Sequence, residues 1–373
     1  MESDSVTSKA HVATASAIGS PAAYPSSVSQ EPSTSKDVVS LLFPDSSPRL
    51  EESCFSHEWI QSFRLMHHYN TSVYMTLARD PSSVKLWQET VPQIACDHEF
   101  FMNGLLAVSA LHYAHTHPEN HQEFIIISSA YQNMALQHFT SNLGDINEEN
   151  CEAFFLLASL IAVASVSWVA NPHFSDHSLA ASDAARCFSL LQGVHNIMSY
   201  KPINSWRRDG TLTPLLEPFG PPPPRRSPNF QRRMERVAGL ARELPYELSV
   251  TNERSVCLMA IESLRSTHLA TADEKSAPNA RRVWTWGLTL APLFLDMLNN
   301  DHPVALIILA HFAALARPFE HEDWITCGWS SSVMSLIEST LERPWKTWIE
   351  WPRRCLAEGK SVDDFGQQQL IFP

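Results

Sequence analysis

AFFLLASLIAVASVSWVA, residues 153–170, is eighteen positions without a charge, broken only by Ser159, Ser165 and Ser167. Such a run serves as a bilayer span, as the spine of a soluble core, or as the wall of a ligand pocket. Its length just admits a span, since about 20 apolar residues cross a bilayer. The flanks argue otherwise. Asp145, Glu148, Glu149 and Glu152 precede the run, and no Lys or Arg follows before Arg186. Nothing basic is there to orient a span. Ala158, Ala162, Ala164 and Ser165 interleave with large side chains, which lets neighbouring helices approach closely. The expectation is a buried helical spine and no membrane span.

Composition supports a large soluble core. Of 373 residues, 44% are hydrophobic and 18% charged; glycine is scarce (11), while tryptophan (11) and phenylalanine (18) are plentiful. Few glycines and many Ala, Leu and Ser favour helices over tight-turned β structure. The net charge of −13 opposes broad contact with a phosphate backbone, which needs clustered Lys and Arg. No direct DNA binding is evident in the chain. Its seven cysteines are never closer than 28 residues apart, which excludes zinc-finger and zinc-cluster spacing and fits a reducing compartment. The N-terminal MESDSVTSKA has acids and no apolar h-region, so it does not read as a secretory signal.

Along the chain, residues 1–40 are rich in Ser, Thr, Ala and Pro and cannot bury enough surface to offset ordering entropy, so they read as a disordered tail. A helical domain is expected in two halves, 41–200 and 230–354, separated by a Pro/Arg-rich loop at 201–229 and followed by a tail at 355–373. Within the first half, Trp59, Phe63, Met66 and Val73 recur at helical spacing in 57–77. Asp97 reads as the cap of a helix that is apolar on most sides, with Pro118 at its exit. Further helices are expected over 123–139, 153–170 and 177–198. In the second half they fall at 252–264, 281–298 and 302–319, where Pro303 occupies a first turn and Pro318 closes the segment. The arginines in and after the loop (Arg207, Arg208, Arg225, Arg226, Arg232, Arg233, Arg236, Arg242) are not interleaved with aromatics and read as a solvated basic surface. No convincing strand alternation appears. The fold class is all-α.

Chemistry leaves little trace. There is no G-x-G-x-x-G, Walker loop, G-x-S-x-G or H-E-x-x-H. His112 and His115 would share a helix face, with His117 and His121 flanking Pro118, but no carboxylate is fixed beside them. Helix-end capping therefore explains them better than a metal does, and no metal or cofactor is expected. Asp97-His98-Glu99 reads as a helix start, not as an acid–base trio. His311 is the one polar residue within VALIILAHFAALA. Its simplest role is a hydrogen bond to nearby backbone, and contact with a ligand comes next. In 319–354, Trp324 and Trp329 bracket Gly328, and Trp345, Trp348 and Trp351 follow at intervals of three. These rings can cover a core or line an apolar mouth.

Several phrases together resemble the regulatory domain of fungal zinc-cluster transcription factors, in the branch of the sterol uptake control proteins. They are LWQETVPQIA (86–95), HEFFMNGLLAVSALHYAH (98–115), AYQNMALQHF (130–139), PVALIILAHFAALA (303–316), DWITCGWSSSVMSLIEST (323–340) and PWKTWIEWP (344–352). The resemblance covers roughly residues 40–354. It implies a helical, ligand-responsive domain that holds a sterol-like or other apolar small molecule. It further implies a homodimer or a DNA-binding partner protein, a nuclear location with shuttling to the cytoplasm, and control of a sterol or secondary-metabolite gene set. Two departures stand out. The family's six-cysteine zinc cluster has no counterpart here, so an upstream coding segment carrying it is an expectation that genomic sequence before Met1 would test. Asp323 also stands where the family commonly has the first of two tryptophans. His311, Phe312, Trp324, Gly328 and Trp329 are the expected ligand-site residues, with His311 as the polar group in an oily wall. An alternative is a motif-poor enzyme of secondary metabolism, a cyclase or isomerase working by holding its substrate in a reactive fold.

Overall fold

A computed structural model describes residues 57–78, 81–174, 178–216, 228–245, 252–271, 282–320, 323–359 and 362–363, all within one folding unit. The Ser-rich tail, the PPPP run with Arg225 and Arg226, and the chain end lie outside the described residues. Among the described residues there are fourteen α-helices and no strand.

The first half builds on α6, Cys151–Ala170, the run that opens the sequence reading. It alone among the described residues is a single helix long and apolar enough to cross a membrane, and 83% of its apolar window is buried against the protein's own helices. Before it come α1 (His57–His68), a wide turn (Tyr69–Val73), α2 (Tyr74–Leu77), α3 (Val91–Asp97), α4 (Glu99–Thr116) and α5 (His121–Ser141). α4 packs between α5 and α6 and also receives α1. That sandwiching explains why α4 is buried nearly all round: three apolar faces need three neighbours. Gly104 gives α4 a notch there, since a Cβ would sit 2.5 Å from the Leu157 Cδ1 of α6.

Two local readings change. The buried stripe of α1 and α2 is Leu65, Tyr69, Val73 and Leu77, whereas Trp59 and Phe63 stack on each other while exposed. Asp97 does not cap α4. It ends α3, and His98 occupies the cap position without a side-chain bond.

The second half turns on α11, Pro303–Ala316, whose thirteen residues from Val304 to Ala316 are all buried. Pro303 starts it in the first turn, where a missing N–H costs no helical bond. α7 (Ala181–Ile197) leads from α6 toward this half and packs on α10 (Pro292–Asn299). The pair α8 (Pro228–Arg242) and α9 (Glu253–Ala270) lies against α11 on another side. The helix expected across 281–298 is broken: Thr285–Thr289 is a tight 3-10 turn, and Leu290 and Ala291 are extended before Pro292. The proline disfavours helical geometry in the residue before it, which apolar periodicity does not reveal.

α12 (Trp329–Thr340) contacts both spines, α6 and α11. α13 (Arg343–Lys346) and α14 (Glu350–Glu358) follow, so the last helix runs past the boundary read at 354. The region read as loop holds helical turns at Ser205–Asp209 and Thr213–Leu215, and α8 begins at Pro228 inside it. Of the arginines there, Arg242 pairs with Glu235 at 3.0 Å and Arg233 lies over the Trp351 ring.

Candidate functional site

The connector from α11 to α12 touches the first helices, α4 and the end of α6. Pro318 and the tight turn Arg317–Phe319 end α11. Glu320 follows and is buried, 1% exposed. Its Oε1 accepts the backbone N–H of Ser330 at 2.9 Å and the Ser330 hydroxyl, and the other oxygen pairs with Arg317 at 3.3 Å. The carboxylate thus satisfies an open N–H in the first turn of α12 from ten residues upstream. Burial pushes its pKa up to about 7 against the pull of those donors and Arg317. Nothing local in FEHED singles out Glu320, because its burial and its bonds to Ser330 depend on the tertiary fold.

Asp323, at the place where the resemblance has tryptophan, accepts the N–H of Ile325 at 3.1 Å and the Thr326 hydroxyl at 3.2 Å. It shapes the turn as an Asx residue does. Trp324 then swings toward the N-terminal helices. Its indole N–H donates to Thr76 Oγ1 at 3.0 Å, and its ring meets His112 edge-on at 5.1 Å and His115 at 6.0 Å.

Gly328 has φ +93°, a conformation that an L side chain adopts only with strain. A Cβ there would stand 2.9 Å from the Ala170 carbonyl oxygen at the end of α6. Ser332 donates to that same oxygen at 3.2 Å. The turn into α12 therefore lies directly on the first spine.

Phe312 and Trp329 do come together. Their ring centroids are 5.7 Å apart in an edge-to-face arrangement, and Trp286 stacks on Phe312 at 4.5 Å. Phe188 and Trp284 complete the cluster around Trp329. Trp329 is fully buried, and its indole Nε1 makes no close hydrogen bond, its one polar neighbour being the weakly accepting Cys187 sulfur. The Cys187 thiol, raised to about 11 by burial, is drawn down by Ser165 and by that indole.

The other three expected site residues face elsewhere. His311 lies under Trp351 at 5.7 Å, and its Nδ1–H donates to Ile307 O at 2.8 Å. A carbonyl only accepts, so Nδ1 carries the hydrogen. Burial holds the ring neutral, with its pKa pushed down to about 4. The polar group expected in an oily wall is thus satisfied by its own helix. Gly328 and Trp324 face α6 and the α1–α4 side respectively. Among the described residues, Phe312 and Trp329 share one ring cluster, while His311, Trp324 and Gly328 meet other neighbours.

Known proteins bear on this arrangement. Residues 64–204 match the fungal specific transcription factor domain. A Zn(2)-C6 fungal-type transcription factor of Gibberella zeae is 29% identical over 330 residues, 82% of this chain and 64% of that protein. Sterol uptake control protein 2 of Saccharomyces cerevisiae is 30% identical over 138 residues, 36% of this chain and 15% of that protein. The chain spans under two thirds of the length of either relative. Residues 64–204, from α1 through α7, are thus similar to the fungal specific transcription factor domain, and the chain is similar to zinc-cluster transcription factors.

Proposed function

We propose that this chain acts as the helical regulatory part of a fungal transcription regulator, in the nucleus, either as a homodimer or with a DNA-binding partner protein. The observation that carries this reading is the domain match over residues 64–204, reinforced by a homologous region that continues through most of the chain. Its DNA contacts belong to a partner or to a segment beyond these residues, since the net charge of −13 disfavours the phosphate backbone. Chromatin recovery from cells expressing the protein natively tests the proposal. Enrichment at a set of promoters, with transcripts of those genes changing on deletion, is expected; no enrichment at any promoter, alone or through a partner, overturns it.

The finer reading is that the domain responds to an apolar molecule with a single polar group, as a sterol has. A buried indole N–H with only a weak partner is costly. Trp329 Nε1 has just the Cys187 thiol beside it, inside a cluster of aromatic rings at the start of α12. A hydroxyl reaching it would relieve that cost, and admitting the ligand would move α12, which touches both spines. His311, Phe312, Trp324 and Gly328 would then sense the ligand through the segment they share and not by lining one cavity. A shuttling role and control of a sterol or secondary-metabolite gene set follow from this proposal. They are tested by locating the protein with and without added sterol.

A further inference from the structure

The histidines at the α1–α4 corner form a site that the regulatory reading does not use. Arg64, His67 and His68 from α1 and His112 and His117 from the end of α4 line a solvent-accessible pocket of about 450 Å³, floored by Tyr113. No carboxylate lines it. We infer that this pocket binds a small oxyanion, a phosphate- or carboxylate-bearing metabolite, which Arg64 holds and the histidines sense by taking up protons.

Arg64 is exposed, and among the described residues it makes no ion pair. Its guanidinium lies 5.5 Å from the Tyr113 ring centroid and 5.7 Å from that of Phe124. Aromatic faces position the planar group and leave its N–H edges for an acceptor, the geometry that suits a bidentate oxyanion. Tyr113 is itself fixed by stacking on His117 at 3.8 Å and on Phe124 at 4.2 Å.

The imidazoles supply the response. His68 Nε2 and His112 Nδ1 are 2.9 Å apart, so one ring donates a hydrogen and the other accepts it. Burial, together with the neighbouring histidines, pushes both rings down to about 4 and lowers His115 as well. These rings are neutral at neutral pH and surround one fixed cation. The titratable and charged groups facing them are Arg64, His67 and His68 from α1, His112, Tyr113 and His115 from α4, His117 just beyond its end, and His121 from α5; the connector contributes the neutral Trp324 ring. An anion supplies the missing negative charge, raises the imidazole pKa values and draws protons in.

A transition metal is the competing occupant. It would need the His68 and His112 lone pairs on one ion, whereas these nitrogens share a hydrogen. No group of three His, Cys, Asp or Glu among the described residues is placed to hold a metal. The inference does not depend on the transcriptional reading, and the test involves no DNA.

The test titrates the full chain with sulfate, whose charge is constant near neutrality, and separately with citrate. Calorimetry at about pH 6 and about pH 7.5, in buffers of different ionisation heat, reads affinity and proton uptake together. Imidazole NMR signals locate the site. Saturable binding of either anion is expected, about tenfold tighter at the lower pH, with uptake of protons and shifts at His68 and His112. The better probe tells phosphate-type from carboxylate ligands. Arg64→Gln, at an exposed position, should weaken binding about tenfold without changing the melting temperature, and Arg64→Lys should restore part of it. Absence of binding by both anions, binding unaffected by Arg64→Gln, or binding of zinc alone overturns the proposal.

Discussion

The indole N–H of Trp324 donates to the Thr76 hydroxyl across 3.0 Å, joining residues 248 positions apart in the chain. Thr76 passes its own hydrogen to Val73 O at 2.8 Å, so one hydroxyl ties the connector to the first helices. Thr76→Val keeps the shape and removes the acceptor, leaving a nearly buried indole N–H unpaired. A loss of about 1–2 kcal/mol is expected. Urea unfolding measures it, and limited proteolysis should show the connector cut sooner. An unchanged midpoint would mean that the clasp contributes nothing.

Gly328→Ala should destabilise by about 1–3 kcal/mol, because the φ of +93° and the Ala170 carbonyl both oppose a side chain. Gly104→Ala is the informative contrast. Its Cβ would crowd only the end of the Leu157 side chain at 2.5 Å, with Leu160 Cδ1 at an ordinary 3.9 Å; that flexible end can turn aside, and alanine favours the helix by about 1 kcal/mol. The Gly104 variant is therefore expected to lose less, as thermal melts of the two proteins would show.

Trp329→Phe separates packing from hydrogen bonding. The ring contacts with Trp284 and Phe312 are largely kept, and the N–H removed has only the weakly accepting Cys187 thiol beside it. Stability should fall by less than the roughly 3–5 kcal/mol expected for Trp329→Ala. If a sterol hydroxyl uses that N–H, a fluorescent sterol should bind about tenfold more weakly to the Phe variant. Equal binding by a stably folded Trp329→Phe protein would remove Trp329 from the ligand site.

Acid should affect the connector and the second spine in opposite senses. Glu320 has its pKa raised from 4.5 to about 7, so between those values the folded state holds more protons than the unfolded one. Its contribution is full at low pH and is lost as pH rises through about 7. His311 has its pKa lowered from 6.5 to about 4. Its contribution is full above 6.5 and is lost as pH falls through about 4. Each shift corresponds to roughly 3–4 kcal/mol at most. Glu320→Gln should therefore remove the decline toward pH 7, and His311→Gln should reduce the loss on acidification. Denaturation midpoints across pH would show both, and a Glu320→Gln profile parallel to the parent would contradict the buried-carboxylate account.

The sequence by itself determined the helices and the two apolar spines. Hydrophobic runs, proline positions and helix propensity act within a few residues, so Cys151–Ala170 and Pro303–Ala316 could be read locally. It also carried the family resemblance, through phrases that spell out whole helices. Tertiary structure alone decided which side chains those helices turn inward and which distant groups meet. Trp59 and Phe63 satisfied the helical spacing yet stay exposed, while Leu65 and Tyr69 are buried, because α4 covers one side of α1 and not the other. His68 met His112, Trp324 met Thr76, and Glu320 met Ser330 only after the chain had folded. Burial and pairing depend on neighbours far away in sequence, and no local pattern encodes where those neighbours will lie.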